Sequence, residues 1–225
     1  MKIKKKLIIF DFDGVLIDSQ QNMELSWICV QRKFNLNIPF KEYKKHLGKP
    51  FKYILLLLGI KNNFKKIKSC YDNASIKYIN KIRPYPYVLS TLKKILKEGK
   101  EIAIVTSKDK KRSKIIVKKL FKGINFSMIS SPEKKFRSKP DPDLILKTLT
   151  HLNYKPGDAL YCGDTPVDFE TAKKAKVAFI FATYGYAKLK FKIFFRFYKK
   201  KPYKIKYFSD LLKIILLNIC NDKRF

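Results

Sequence analysis

LIIFDFDGVLIDS, residues 7–19, ends a short apolar run on Asp11 and then places Asp13 and Asp18 close behind it, in a chain with 51 Lys plus Arg against 18 Asp plus Glu. An unbroken apolar run of this length suits a strand buried on both faces of a parallel sheet. Four other stretches have the same character: EIAIVTS at 101–107, FSMISS at 126–131, ALYCGD at 159–164 and VAFIFA at 177–182. Helical patterns lie between them. Val88, Leu92, Ile95 and Leu96 recur at helical spacing before Gly99, 113–121 reads similarly, and DPDLILKTLTHL opens with Asp141 as a cap and Pro142 in the first turn. Strand alternating with helix from about residue 84 predicts a Rossmann-like α/β core with a parallel sheet, its reactive groups where strands end.

Residues 19–83 break that rhythm. MELSWICVQRKF, YKKHLGKPFKYILLLLGI and IKSCYDNASIKYINKI all read as helices. The expected organisation is therefore a catalytic core of 1–18 and 84–225 with an all-helical cap, 19–83, inserted between them, Pro84 and Pro86 marking re-entry. Asp18 and Ser19 read as caps of the first inserted helix, and Met23 and Trp27 as its core. His46 and His151 read as surface or packing residues.

With 225 residues, 46% hydrophobic and 14% aromatic, the chain is long enough to bury one substantial core. The net charge of +33 raises the question of nucleic acid or anionic lipid as partner. Lys, Ile, Phe, Asn and Tyr are inflated together, however, so the charge reads as a compositional bias spread over a solvated surface, and no nucleic-acid partner is expected. The segment 188–206, KLKFKIFFRFYKKKPYKIK, interleaves basic and aromatic residues. It reads as surface helix packing its aromatics on the core, with a weak membrane-surface contact as the alternative. No apolar stretch nears the ~20 residues of a membrane span, and Cys29, Cys70, Cys162 and Cys220 lack metal-type spacing. A soluble, cytoplasmic protein is expected, of unspecified oligomeric state.

The acids form a set. Asp11 and Asp13, one residue apart at a strand end, point to the same side, so one carboxylate can attack while the other handles a proton. GDTPVD supplies Asp164 and Asp168 at another strand end, and carboxylates converging in this way need a cation between them. Oxygen-only ligands favour Mg²⁺, which accepts phosphate oxygens beside one or two carboxylates. Thr106 and Ser107 offer a hydroxyl and backbone N–H groups to a phosphate, and Lys139 offers positive charge.

The series DFDGVLIDS, IAIVTS, SKPDPD and GDTPVDFETAKKAKV resembles the four motifs of the haloacid dehalogenase-like hydrolases, nearest to their phosphoglycolate phosphatase-like branch with a helical cap. The resemblance covers about residues 5 to 186. It implies a phosphatase with Asp11 as nucleophile and Asp13 as general acid and base, acting through an aspartyl-phosphate. It also implies Mg²⁺ held by Asp11, the Asp13 carbonyl and Asp164, with Asp168 in support, and Thr106, Ser107 and Lys139 on the phosphoryl group. HLGKPF resembles the cap loop that family members lower towards the active site, making Gly48 and Lys49 candidates for substrate contact. The expected substrate is a small phosphorylated metabolite of the phosphoglycolate or sugar phosphate type. A phosphosugar mutase is the alternative within the family, disfavoured because QQNME stands where such mutases tend to carry a His. A basic binding protein with an idle site is the alternative of a different class.

Overall fold

Residues Leu7–Phe10 (β1) are buried on both sides because they sit in the middle of a sheet covered on both faces. The computed structural model describes residues 6–133, 135–187, 193–195 and 201–216. The chain divides into two compact units, one of Met1–Ile17 with Pro84–Phe225 and one of Asp18–Arg83. Two-residue strands, Ile17–Asp18 (β2) and Arg83–Pro84 (β3), pair where the chain passes from one unit to the other.

The first unit carries Glu101–Val105 (β4), Met128–Ser130 (β5), Ala159–Gly163 (β6), Ala178–Ala182 (β7) and Tyr203–Ile205 (β8). They join β1 in one sheet of order β5-β4-β1-β6-β7-β8, every neighbouring pair parallel. The helices between the strands are Val88–Lys97 (α5), Lys110–Leu120 (α6), Asp143–His151 (α7) and Pro166–Lys174 (α8), with Asp210–Leu216 (α9) following β8. Leu7, Ile9, Ala103, Val105, Tyr161 and Phe179 form one buried face with Leu144 and Leu149 of α7 and Phe169 and Ala172 of α8. The alternate residues Ile8, Phe10, Ile102, Ile104 and Leu160 are equally buried, and Phe10 packs on Phe208. Two buried faces explain why these strands read as continuous apolar runs rather than alternating ones.

The sheet changes winding direction at β1: β4 and β5 lie on one side, β6 to β8 on the other. In open α/β sheets the crevice at the carboxyl ends of the strands on either side of such a reversal is where ligands bind. Phe10 lies opposite Cys162, so the residues following β1 and β6 emerge side by side there.

The second unit is helical: Gln20–Phe34 (α1), Phe40–Lys44 (α2), Phe51–Leu57 (α3) and Phe64–Lys77 (α4). Trp27, Val30, Tyr43, Ile54, Leu55, Ile67 and Tyr71 form its core, and the Trp27 indole N–H donates to the Ile38 carbonyl at 2.7 Å. Asn22 and Ser75 exchange buried hydrogen bonds between α1 and α4. Asp18 accepts the Gln20 N–H at 3.0 Å at the start of α1. YKKHLGKPFKYILLLLGI is not one helix. Gly48, at φ 93°, and Pro50, which has no N–H to donate, divide it into α2 and α3.

Two other boundaries move. α7 begins one residue later than the sequence suggests, with Pro142 just before it and Asp143 in its first turn. α6 begins at Lys110 because Asp109 caps it, accepting the Arg112 N–H at 3.0 Å. Of the basic-aromatic segment, 188–192 and 196–200 lie outside the described residues, as does Cys220. Phe195 is buried with its ring 4.6 Å from that of Phe169, and β8 occupies part of the remainder. Among the described residues no helix is long and apolar enough to cross a membrane.

Candidate active site

Asp11 follows β1 directly, its N–H donating to the Cys162 carbonyl at 2.9 Å. Phe12 is fully buried against Phe121. The turn then closes on itself: the Phe12 carbonyl accepts the Leu16 and Ile17 N–H groups, and Gly14, at φ 89°, donates to the Ile17 carbonyl. A side chain at Gly14 would have its Cβ 2.3 Å from Asp164 Oδ2.

Asp164 follows β6, and two loops fix it. Tyr186 N–H donates to its Oδ2 at 2.6 Å, and the loop carrying Tyr186 is tied down by the Tyr184 hydroxyl on the Val15 carbonyl and the Tyr184 ring against Tyr85. A Cβ on Gly185 would lie 2.3 Å from Asp164 Cβ, and one on Gly163 would lie 2.4 Å from Asp168 Cβ. The glycines are thus required by close approach to the two acids.

TPVD opens α8 with a capping box and Pro at the first helical position. Asp168 Oδ2 accepts the Thr165 N–H and hydroxyl, at 3.1 and 2.6 Å. Its Oδ1 accepts the Tyr161 hydroxyl and the Lys139 ammonium, both at 2.8 Å. Those four bonds use the acceptor capacity of a carboxylate. Lys139 also donates to Asp11 Oδ1 at 2.8 Å and lies 5.2 Å from the centroid of the Tyr161 ring. Its loop is pinned by Arg137, whose guanidinium grips Asp143 at 3.0 and 3.2 Å.

One carboxylate oxygen each of Asp11, Asp164 and Asp168 lie within 4.8 Å of one another. Burial pushes the Asp11 carboxyl from an ordinary 3.8 up to about 7, with Lys139 opposing and Asp168 adding to the rise. Burial, then the charges of Asp168 and Asp11, push Asp164 well above the carboxylate range. Asp168 goes the other way: against burial, Lys139, Thr165 and Tyr161 hold it below its ordinary value. Asp164 Oδ1 is buried with no hydrogen-bond partner among the described residues. An orphaned buried carboxylate oxygen beside two further carboxylates is what a hard cation with oxygen ligands fits.

The Asp13 carboxylate is not part of that cluster. Its Oδ1 lies 3.2 Å from the Lys108 ammonium, leaving its backbone carbonyl as the group the resemblance assigns to a metal. Thr106 is buried at the end of β4, its hydroxyl accepting the Lys108 N–H at 3.1 Å, with Ser107 between them. Gly48 and Lys49 belong to the helical unit, in the turn between α2 and α3, where the Lys49 ammonium lies 5.3 Å from the Tyr53 ring centroid.

Sequence reading missed Lys108, Tyr161 and the steric role of Gly163 and Gly185. Tyr161 had a legible signal, since a Tyr inside an otherwise apolar strand must find a partner for its hydroxyl.

The haloacid dehalogenase-like hydrolase family model matches residues 8–182. The chain belongs to this family. A phosphoglycolate phosphatase from Aquifex aeolicus is 30% identical over 82% of this chain and 87% of its own, and the chain falls in that phosphoglycolate phosphatase-like branch. The pyrophosphatase PpaX of Oceanobacillus iheyensis is 24% identical over 76% of this chain and 80% of its own. A haloacid dehalogenase-like family hydrolase from Streptococcus pneumoniae superposes with a TM-score of 0.79 at 19% identity, covering 92% of this chain and 97% of that one. All four stretches quoted in the resemblance lie within the matched residues.

Proposed function

We propose that the protein is a Mg²⁺-dependent phosphomonoester phosphatase that acts on a small phosphorylated metabolite through a phosphorylated Asp11. The observation that carries this reading is the convergence of Asp11, Asp164 and Asp168 around an orphaned buried oxygen, with Lys139 joining Asp11 to Asp168. Relatives that carry the names phosphoglycolate phosphatase and pyrophosphatase support a small phosphate substrate.

The side chains of Lys139 and Asp168 retain 2% and 1% exposure, whereas Asp11 retains 9% and Asp13 18%. The substrate therefore meets Asp11 and Asp13. An Asp11 oxygen attacks phosphorus, the bond to the leaving oxygen breaks, and Asp13 gives that oxygen its proton. Asp13 then takes a proton from water, the water oxygen displaces Asp11 from phosphorus, and inorganic phosphate leaves. Lys139 holds the Asp11 carboxylate in place, and the Thr106 hydroxyl and Ser107 N–H stand at the end of β4 to receive phosphoryl oxygens. Asp11, the Asp13 carbonyl and Asp164 would hold Mg²⁺ directly, with Asp168, already fully bonded, anchoring from behind. When bound, the ion neutralises charge on the phosphoryl oxygens. We assign the helical unit, 19–83, the role of a cap that excludes water, with Gly48 and Lys49 as its candidates for touching the leaving group.

The test is hydrolysis of para-nitrophenyl phosphate with Mg²⁺ or with EDTA. Turnover with Mg²⁺ and its loss in EDTA are expected; folded protein with no metal-dependent turnover of any phosphate ester would overturn the reading. Mg²⁺ should also raise the melting temperature, since binding to the native state at about 100 times Kd adds about 2.7 kcal/mol of stability. Asp164→Asn should abolish that rise.

Gly185→Ala offers a charge-neutral variant of the same test. It changes no ionisable group yet forces the Asp164 carboxylate aside. Mg²⁺ affinity, read from the melting temperature, should fall roughly 10- to 100-fold, the range for disturbing groups that orient a ligand.

A further inference from the structure

Lys108 lies outside every motif of the resemblance, yet its side chain is buried to 5% exposure beside Asp13. Its ammonium is 3.2 Å from Asp13 Oδ1, and its own N–H is fastened to the Thr106 hydroxyl at 3.1 Å. The turn that carries it is fixed downstream as well, because Asp109 caps α6 and grips the Arg112 guanidinium. Buried stem, fastened backbone and capped helix leave Lys108 little freedom, whereas Asp13 is the more exposed partner. The ammonium groups of Lys139 and Lys108 therefore divide the labour: Lys139 with Asp11, Lys108 with Asp13.

We propose that Lys108 is a positioning residue for Asp13, holding its carboxylate at the reaction centre from the fixed end of β4. This rests on the phosphatase reading, in which Asp13 moves the proton. A carboxylate on a tight turn can rotate about its side-chain bonds, and a fixed cation restricts it to the conformer in which Oδ1 faces Lys108. The proton-transferring group is then in place before substrate arrives, and the cost of aligning it does not fall on the chemical step. Lys108 acts through Asp13, so its contribution exists only while Asp13 is an acid.

A double-mutant cycle on para-nitrophenyl phosphate with Mg²⁺ tests this, comparing wild type, Lys108→Met, Asp13→Asn and the double variant. Lys108→Met should lower kcat by about 10²-fold, the loss that a misplacement of ~1 Å can cause, with KM nearly unchanged. Lys108→Arg should recover part of it. The double variant should be no slower than Asp13→Asn alone. Should Lys108→Met fail to fold, Lys108→Gln, which keeps a donor, carries the same cycle with a smaller loss.

Losses that multiply in the double variant, or an unchanged kcat in Lys108→Met, would overturn the positioning role while leaving the phosphatase reading intact. Wild-type protein without metal-dependent turnover would overturn both.

Discussion

Asp11→Asn should lose roughly 10⁴- to 10⁶-fold in turnover, the scale seen when one member of a concerted catalytic set is removed. The amide keeps the shape of the carboxylate but cannot attack phosphorus, and nothing else in the site replaces it: Asp168 is used up by four hydrogen bonds, and Asp164 is enclosed by Gly14 and Gly185. The loss should not come from unfolding. Lys139 has a second bond, at 2.8 Å to Asp168, that the substitution does not touch, and the fold no longer has to desolvate a carboxylate at residue 11. Thermal melting in EDTA should therefore be no lower than wild type. Steady-state turnover with Mg²⁺, measured beside the melt, checks both halves. A variant within tenfold of wild type would remove Asp11 from the nucleophile's role.

The second large effect is on stability. Lys139 is 2% exposed and makes 2.8 Å bonds to two buried carboxylates. Lys139→Met fills the volume but leaves Asp11 and Asp168 without their shared cation. Breaking a buried ionic set from one side costs about 3–5 kcal/mol, because the remaining charge has no compensation. Urea unfolding should show that loss. The only tryptophan, Trp27, lies in the helical unit, so far-UV circular dichroism, which samples both units, is the suitable signal. Asp168→Asn, which leaves Lys139 its bond to Asp11, should be milder. A loss below about 1 kcal/mol for Lys139→Met would put the pair in the class of exposed salt bridges and contradict the burial argument.

The strands were legible because the sheet is buried on both faces. A strand covered on one face only would have alternated, and LIIF, EIAIV and AFIFA would not have stood out. β8 was hidden for the opposite reason: it is a three-residue edge strand, Tyr203–Ile205, set among lysines at the end of a segment that reads as surface helix. The break between α2 and α3 was written in HLGKPF, but the leucines that follow outweighed Gly48 and Pro50 in the periodicity.

In the site, the acids were legible because acids are scarce here, and Asp11 and Asp164 each directly follow an apolar run. Lys108 was illegible because lysine is common here. One more ammonium in a chain of net charge +33 carries no signal until its burial beside Asp13 is known. Gly163 and Gly185 were legible as residues but not as walls, because their role is set by how closely the folded chain brings Asp168 to the one and Asp164 to the other. Local pattern thus exposed the candidate acids and Lys139, and tertiary structure added Lys108, Tyr161 and the two glycines packed against the acids.

The most direct test of the account is to trap the phosphorylated enzyme. Wild-type protein mixed with Mg²⁺ and a phosphate ester, quenched in acid within the first turnover and digested, should carry a phosphoryl group on the peptide containing Asp11, and Asp11→Asn should carry none. Turnover with no phosphoryl group on Asp11, or the same label in Asp11→Asn, would contradict it.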